Sequence, residues 1–168
     1  VQNRALRLIT GCHRNASIDH LHAETKILPV ASHLKLLSAQ YLARAQQESH
    51  PSHQIVNAPA GPRKKKSSNV PLKHTLNTKV GRYVDPYLVD GVVPPGAVKS
   101  ALDGIHTQIV QEAIQEMAPN RVLGVAPPDI NQNEKFLPRQ TRSTLSQLRS
   151  GFCADVQDYK HLVGRSDS

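Results

Sequence analysis

The chain has 168 residues, enough for one domain or two small ones, and carries 38% hydrophobic residues with no Trp and two Phe. That composition excludes a large aromatic core and predicts a small aliphatic one shared among helices. Two cysteines, Cys12 and Cys153, exclude a disulfide framework, no apolar run approaches the roughly 20 residues that span a bilayer, and a net charge of +8 favours polyanionic partners.

Residues 1–10 read as a helix. Val1, Ala5, Leu8 and Ile9 make an apolar arc with Arg4 and Arg7 beside it, and Gly11 supplies the stop. Ser17 is placed to cap a short turn over residues 18–22. Leu28-Pro29 opens the strongest helix of the first half, over residues 29–48, where Val30, Leu34, Leu37, Tyr41 and Ala45 recur every three or four residues.

Residues 49–96 differ in kind. His50-Pro51, Ala58-Pro59-Ala60-Gly61-Pro62 and Val93-Pro94-Pro95-Gly96 are breaker clusters around the basic run Arg63-Lys64-Lys65-Lys66. The stretch is too polar to bury much surface and reads as a flexible basic linker, with room for a short strand or extended piece over residues 80–89. A second strong helix covers residues 97–117, carrying Val98, Leu102, Ile105, Ile109, Ala113 and Met117 on one stripe, and Pro119 ends it. Pro127-Pro128 and residues 131–134 form a loop. A helix over residues 137–150 follows, stopped by Gly151, then a last amphipathic helix with Phe152, Val156 and Tyr159.

The expected fold class is mainly α: several amphipathic helices joined by a long Pro-rich basic linker, partly disordered. The expected organisation is an N-terminal helical segment over 1–48, the linker over 49–96, a C-terminal helical segment over 97–163 and a frayed tail over 164–168.

Charge is uneven along the chain. Residues 1–48 carry six basic and three acidic side chains, residues 49–100 eight and two, and residues 101–168 seven and eight. On the 137–150 helix, Leu145 and Leu148 share one arc while Arg139, Arg142 and Arg149 share its neighbour. One stripe can bury while the other offers guanidinium groups that fit phosphate bidentately. The plainer alternative is a solvated cationic face. Base stacking needs interleaved aromatics, and in the basic segment only Tyr83 and Tyr87 qualify.

Catalytic patterns are scarce. There is no Gly-x-Ser-x-Gly elbow, no phosphate-cradling glycine loop and no His-Glu-x-x-His, and the thirteen acidic residues never stand side by side. Cys12, His13, His20 and His22 lie close together with Asp19 and Glu24 among them, but their spacing fits no closed zinc site. Ser17, Asp19 and His20 share one short turn, which cannot give a triad its mutual geometry. Cys12 and His13 are chain neighbours, which rarely face each other. No catalytic residue, metal or cofactor is expected.

Several segments together carry a resemblance. Val1-Gln2-Asn3-Arg4-Ala5-Leu6-Arg7-Leu8-Ile9-Thr10-Gly11-Cys12-His13 resembles the stretch just beyond the polymerase domain of non-LTR (LINE-like, jockey-type) retrotransposon reverse transcriptases. Asp19-His20-Leu21-His22-Ala23-Glu24-Thr25 with Leu28-Pro29-Val30 is similar to the next block. Leu137-Pro138-Arg139 through Arg142, then Leu145 to Leu148-Arg149-Ser150-Gly151, resembles the last helical block, ending near Tyr159. The matches keep their order and flank a variable basic linker.

The resemblance implies a piece of an RNA-directed DNA polymerase. The family's Phe/Tyr-Ala-Asp-Asp motif is absent here, so no catalytic or metal residue carries over. What remains corresponds to the connector between the polymerase thumb and a C-terminal Cys/His knuckle. In the family, that neighbourhood is implied to help hold template RNA or target DNA. The opening on Val1 instead of Met fits a fragment.

The leading expectation is therefore a non-catalytic, helical retrotransposon fragment that binds RNA or DNA. Its expected phosphate contacts are Arg4, Arg7, Arg63, Lys64, Lys65, Lys66, Arg139, Arg142 and Arg149. The expected setting is an intracellular ribonucleoprotein, nuclear or cytoplasmic, with no membrane partner. The alternative is a helical interaction module whose stripes over 29–48 and 97–117 dock on the missing polymerase domain or on a second copy. A third reading, a metal-dependent enzyme using Cys12, His20 and His22, ranks last.

Overall fold

The computed structural model describes residues 1–58, 76–120, 122–124 and 131–153. The described residues are mainly helical, and the only β pairing among them is an isolated antiparallel bridge between Val89 and Val92. Among them, no helix is long and apolar enough to cross a membrane. The chain divides into two compact units, one made of Val1–Pro29 with Glu112–Ser168 and the other of Val30–Gln111. The first 29 residues thus group with the segment that begins at Glu112.

The first unit is built from α1 (Gln2–Thr10), α2 (Ile18–Thr25), a 3-10 helix (Gln132–Phe136) and a C-terminal helix (Arg139–Ser150). Gly11 and Gly151 end their helices in the left-handed conformation, at φ 71° and 73°. Pro138 stands at the N-cap of the C-terminal helix, where a missing N–H costs nothing. Leu6, Cys12, Ala16 and Leu21 form the core, with Phe152 packed against it. The expected arc of α1 is corrected here. Leu6 and Thr10 face inward, whereas Leu8 and Ile9 are exposed.

The second unit contains α3 (Val30–Ala45), α4 (His53–Asn57), a helical run formed by Asn77–Gly81, Arg82–Val84 and Asp85–Tyr87, and most of a long helix, Val98–Gln115. α3 packs against the Asn77–Gly81 and Arg82–Val84 turns. Leu36, Ala39, Leu42, Ala43, Val56, Val80, Tyr83, Val84, Val93, Ala101, Ile105 and Ile109 are buried. Among the described residues of the 49–96 stretch, Val56, Val80, Tyr83, Val84 and Val93 are buried, more than its composition suggests, and residues 80–87 are helical, not extended. Gly104 permits a close approach, since a Cβ there would overlap the Tyr87 hydroxyl.

The inward side of α3 also differs from expectation. Its small face, Ser32, Leu36, Ala39, Leu42 and Ala43, is buried, while Val30, Leu34, Leu37 and Tyr41 stay between 37 and 56% exposed. Ala45 alone of the expected stripe is buried. On the long helix the expectation holds better: Ile105, Ile109 and Ala113 are buried, joined by Ala101.

Candidate nucleic-acid interface

The first unit brings distant segments to one site around the C-terminal helix. Helix α1 leaves its last carbonyls without intrahelical donors. Two side chains of the C-terminal helix supply them: Arg139 Nη2 donates to the Leu8 carbonyl at 3.2 Å and Gln147 Nε2 to the Gly11 carbonyl at 2.7 Å. The approach depends on glycine, because a Cβ on Gly11 would lie 2.7 Å from Ser143 Oγ. An arginine at this end also complements the negative pole of the α1 dipole.

Arg149 sits one helical layer deeper and is half-buried. Its Nη1 donates to Glu24 Oε1 at 3.0 Å and its Nη2 to Glu134 Oε1 at 2.5 Å. The hydrogen bond from Arg149 holds the Glu134 carboxyl below the ordinary carboxylate range, and the same bond raises the guanidinium's pKa. Glu134 also completes a capping box: Asn131 Oδ1 accepts from Asn133 N at 2.9 Å, and Glu134 Oε1 accepts from Asn131 N at 3.4 Å. The polar stretch expected as loop is therefore a capped 3-10 turn.

Between these elements lies a groove of about 670 Å³, walled by the ends of α1 and α2, the 3-10 turn and the C-terminal helix. Ile9 and Ile27 give it an apolar patch, and Lys26, Lys135, Arg139 and Arg142 give it positive charge. Its two carboxylates, Glu24 and Glu134, share the single guanidinium of Arg149, which offsets one of their two negative charges. The groove's lining, with four cations against two carboxylates, is thus net positive.

A second cluster looks chemical but is not reactive in this arrangement. Cys12 Sγ lies 3.1 Å from Ser146 Oγ, which lies 3.4 Å from His20 Nε2. Asn120 Oδ1 accepts from Val122 N and Leu123 N at 2.9 and 2.8 Å, which turns its amide nitrogen toward His20 Nδ1 at 3.4 Å. His20 Nδ1 is therefore the acceptor, and Nε2 carries the proton, donating to the Ser146 carbonyl at 3.0 Å. The nitrogen that faces Ser146 is thus the protonated one, so in this arrangement it offers no lone pair to the Ser146 hydroxyl. Burial pushes the His20 pKa down, against the opposing pull of Glu24 and the Ser146 carbonyl. The cluster ties α2 to the C-terminal helix. Among the described residues, no three His, Cys, Asp or Glu side chains gather to hold a metal ion.

The expected phosphate contacts separate into three groups. Arg139 and Arg142 are exposed and line the groove together, Arg139 with its Nη2 on the Leu8 carbonyl, and Arg4 is exposed on α1. Arg7 and Arg149 are turned to structural work. Arg7 donates to the carbonyls of Asn3, Arg14 and Ala16, and Arg149 is held by its two carboxylates, so neither offers a free fork to phosphate. Arg63, Lys64, Lys65 and Lys66 lie outside the described residues, as do the last helix expected after Gly151 beyond Cys153 and the Pro127-Pro128 loop.

Sequence reasoning missed Lys26 and Lys135. Lys26 adopts the left-handed conformation, φ 56°, just past α2, and Lys135 follows the capping box whose Asn-x-x-Glu spacing was readable in advance. The aromatics it singled out are not available. Tyr83 is buried, with the Arg82 guanidinium 4.7 Å from its ring centroid, and Tyr87 is pressed against Gly104.

No family model, curated protein or solved structure matches the chain.

Proposed function

We propose that the chain is a non-catalytic piece of a non-LTR retrotransposon RNA-directed DNA polymerase, and that it holds template RNA or target DNA by electrostatic contact. The observation that carries this reading is the groove of the first unit, where Lys26, Lys135, Arg139 and Arg142 converge while both nearby carboxylates are internally paired. Arg4 and the basic run Arg63–Lys66 add charge on the same chain. Binding of this kind tolerates sequence and responds to salt. Fluorescence anisotropy of the full chain with RNA and DNA oligonucleotides across a salt series tests it. Each neutralised phosphate adds about −0.9 to the slope of log affinity against log salt for duplex DNA. An affinity indifferent to ionic strength would contradict the reading.

A second reading rests on a different observation. The exposed seam of α3, Val30, Leu34, Leu37 and Tyr41, is spaced by four, three and four residues, the pattern of a helix that packs on another helix. It supports a helical interaction module that docks on the polymerase domain or on a second copy. The long helix does not supply a second such face, because Ile105, Ile109 and Ala113 are already buried.

A further inference from the structure

We infer that Phe136 is a base-stacking platform, and that the basic groove beside it takes an unpaired nucleic-acid strand in preference to a duplex. This inference rests on the nucleic-acid reading above and specifies its ligand. Phe136 is 87% exposed, far more than any other aromatic ring among the described residues. The others are occupied. Phe152 packs on the first unit's core, Tyr83 is buried, Tyr87 is pressed against Gly104, and Tyr41 meets His50 edge-on with ring centroids 6.3 Å apart.

A single exposed apolar residue ordinarily needs no explanation. Two features set Phe136 apart. The first is its setting: it follows Lys135 directly and precedes Arg139 by three residues, and both of those line the groove with Arg142 and Lys26. Phe136 does not itself line the groove, but it stands on the 3-10 turn that walls it, one residue from Lys135, so a single strand lying along the cations can bring a base to the exposed ring. The cations follow the phosphates and the ring stacks on a base, whichever base it is. A duplex keeps its bases stacked on one another and leaves such a ring without a partner.

The second feature is preorganisation. Phe136 ends a 3-10 turn fixed at both ends. Asn131 and Glu134 cap its start reciprocally, Leu137 N donates to the Glu134 carbonyl at 3.2 Å, and Arg149 holds the Glu134 carboxylate from the neighbouring helix. An exposed aromatic on an anchored turn loses little freedom on binding, so more of its stacking energy appears as affinity. Ile9 and Ile27 in the groove provide apolar contact for a sugar or base edge, and Thr25 and Ser143 provide hydroxyls.

The test compares the full chain with F136A and F136W. The probes are labelled oligo(rU) and oligo(dT) of about 16 nucleotides, a length that covers one such site, and a blunt DNA duplex of the same length. Circular dichroism confirms equal helicity. The expected result is tighter binding of single strands than of duplex. F136A should weaken both single strands roughly tenfold, F136W should restore them, and the salt slope should stay unchanged. The rU and dT arms show whether the strand is RNA or DNA. Salt-dependent binding that favours the duplex, or that F136A leaves unaltered on single strands, overturns the stacking inference and leaves the electrostatic reading standing. Absence of salt-dependent binding to all three probes overturns both.

Discussion

Arg149 on the C-terminal helix donates to Glu24 on α2 at 3.0 Å, across 125 residues of chain. The same guanidinium reaches Glu134 on the 3-10 turn, so one side chain joins three segments of the first unit. Glu24 keeps its second oxygen buried with no hydrogen-bond partner, which makes its remaining bond to Arg149 hard to lose. A residue that looked like a phosphate contact in the sequence is thereby a strut that pairs both carboxylates of the groove wall.

Replacing Arg149 by Leu should destabilise the chain by about 2–3 kcal/mol, between the values for exposed and buried pairs, because Glu24 and Glu134 are left without their cation. Lys should rescue poorly, since an ammonium cannot serve two carboxylates with a planar fork. Adding E24Q to R149L should recover part of the loss. Urea denaturation of the single and double variants measures the coupling. A loss below about 0.5 kcal/mol in R149L would place the arginine among ordinary surface residues.

Stability should fall as pH drops from neutrality. The folded chain holds His20 below its ordinary value of 6.5 through burial. Protonation would also put an N–H on Nδ1 against the Asn120 amide donor. The unfolded chain therefore binds more protons as pH goes below 6.5, so the contribution is full above that value and is lost toward the lower folded pKa. Glu134 acts in the same direction at lower pH. Its depressed pKa stabilises above the ordinary 4.5 and ceases to do so as pH falls through the folded value. Thermal or urea melts between pH 7.5 and 4, an experimental range spanning about both groups' ordinary values, should show this decline, and H20Q should flatten its upper part. An H20Q profile that parallels the parent's would remove His20 from the account.

Helix ends were the most legible part of the fold. Gly11 and Gly151 stop their helices in the left-handed region, and Pro138 stands at a helix start, each for a local stereochemical reason. Facing was less legible. α3 carries two apolar stripes, and the larger side chains, Val30, Leu34, Leu37 and Tyr41, signalled the wrong one. Close packing on the Asn77–Gly81 turn instead selects the small face with Ala39 and Ala43. Val80, Tyr83 and Val84 sit in a short segment whose burial depends on that same α3, so no local pattern announced it. At the groove, Arg139 and Arg142 followed from helical periodicity. The commitment of Arg149 could not, because Glu24 and Glu134 are brought to it only by tertiary structure.

The α3 seam gives a separable prediction. L34Q with L37Q changes exposed positions and should shift stability by no more than about 0.5 kcal/mol. The same pair should abolish association of the chain with itself or, on the second reading proposed above, with a polymerase domain supplied in trans. Light scattering over a concentration series, alone and with that domain, reads this out. Parent chain that stays monomeric in both settings would leave the seam as plain surface.

The most direct test of the central claim is the salt dependence of nucleic-acid affinity in R139E/R142E, measured beside the parent chain. If these two arginines meet phosphate in the groove, affinity should drop for every sequence tried, and the slope of log affinity against log salt should flatten by about 2. An unchanged slope and affinity in a variant that keeps its helicity would contradict the account.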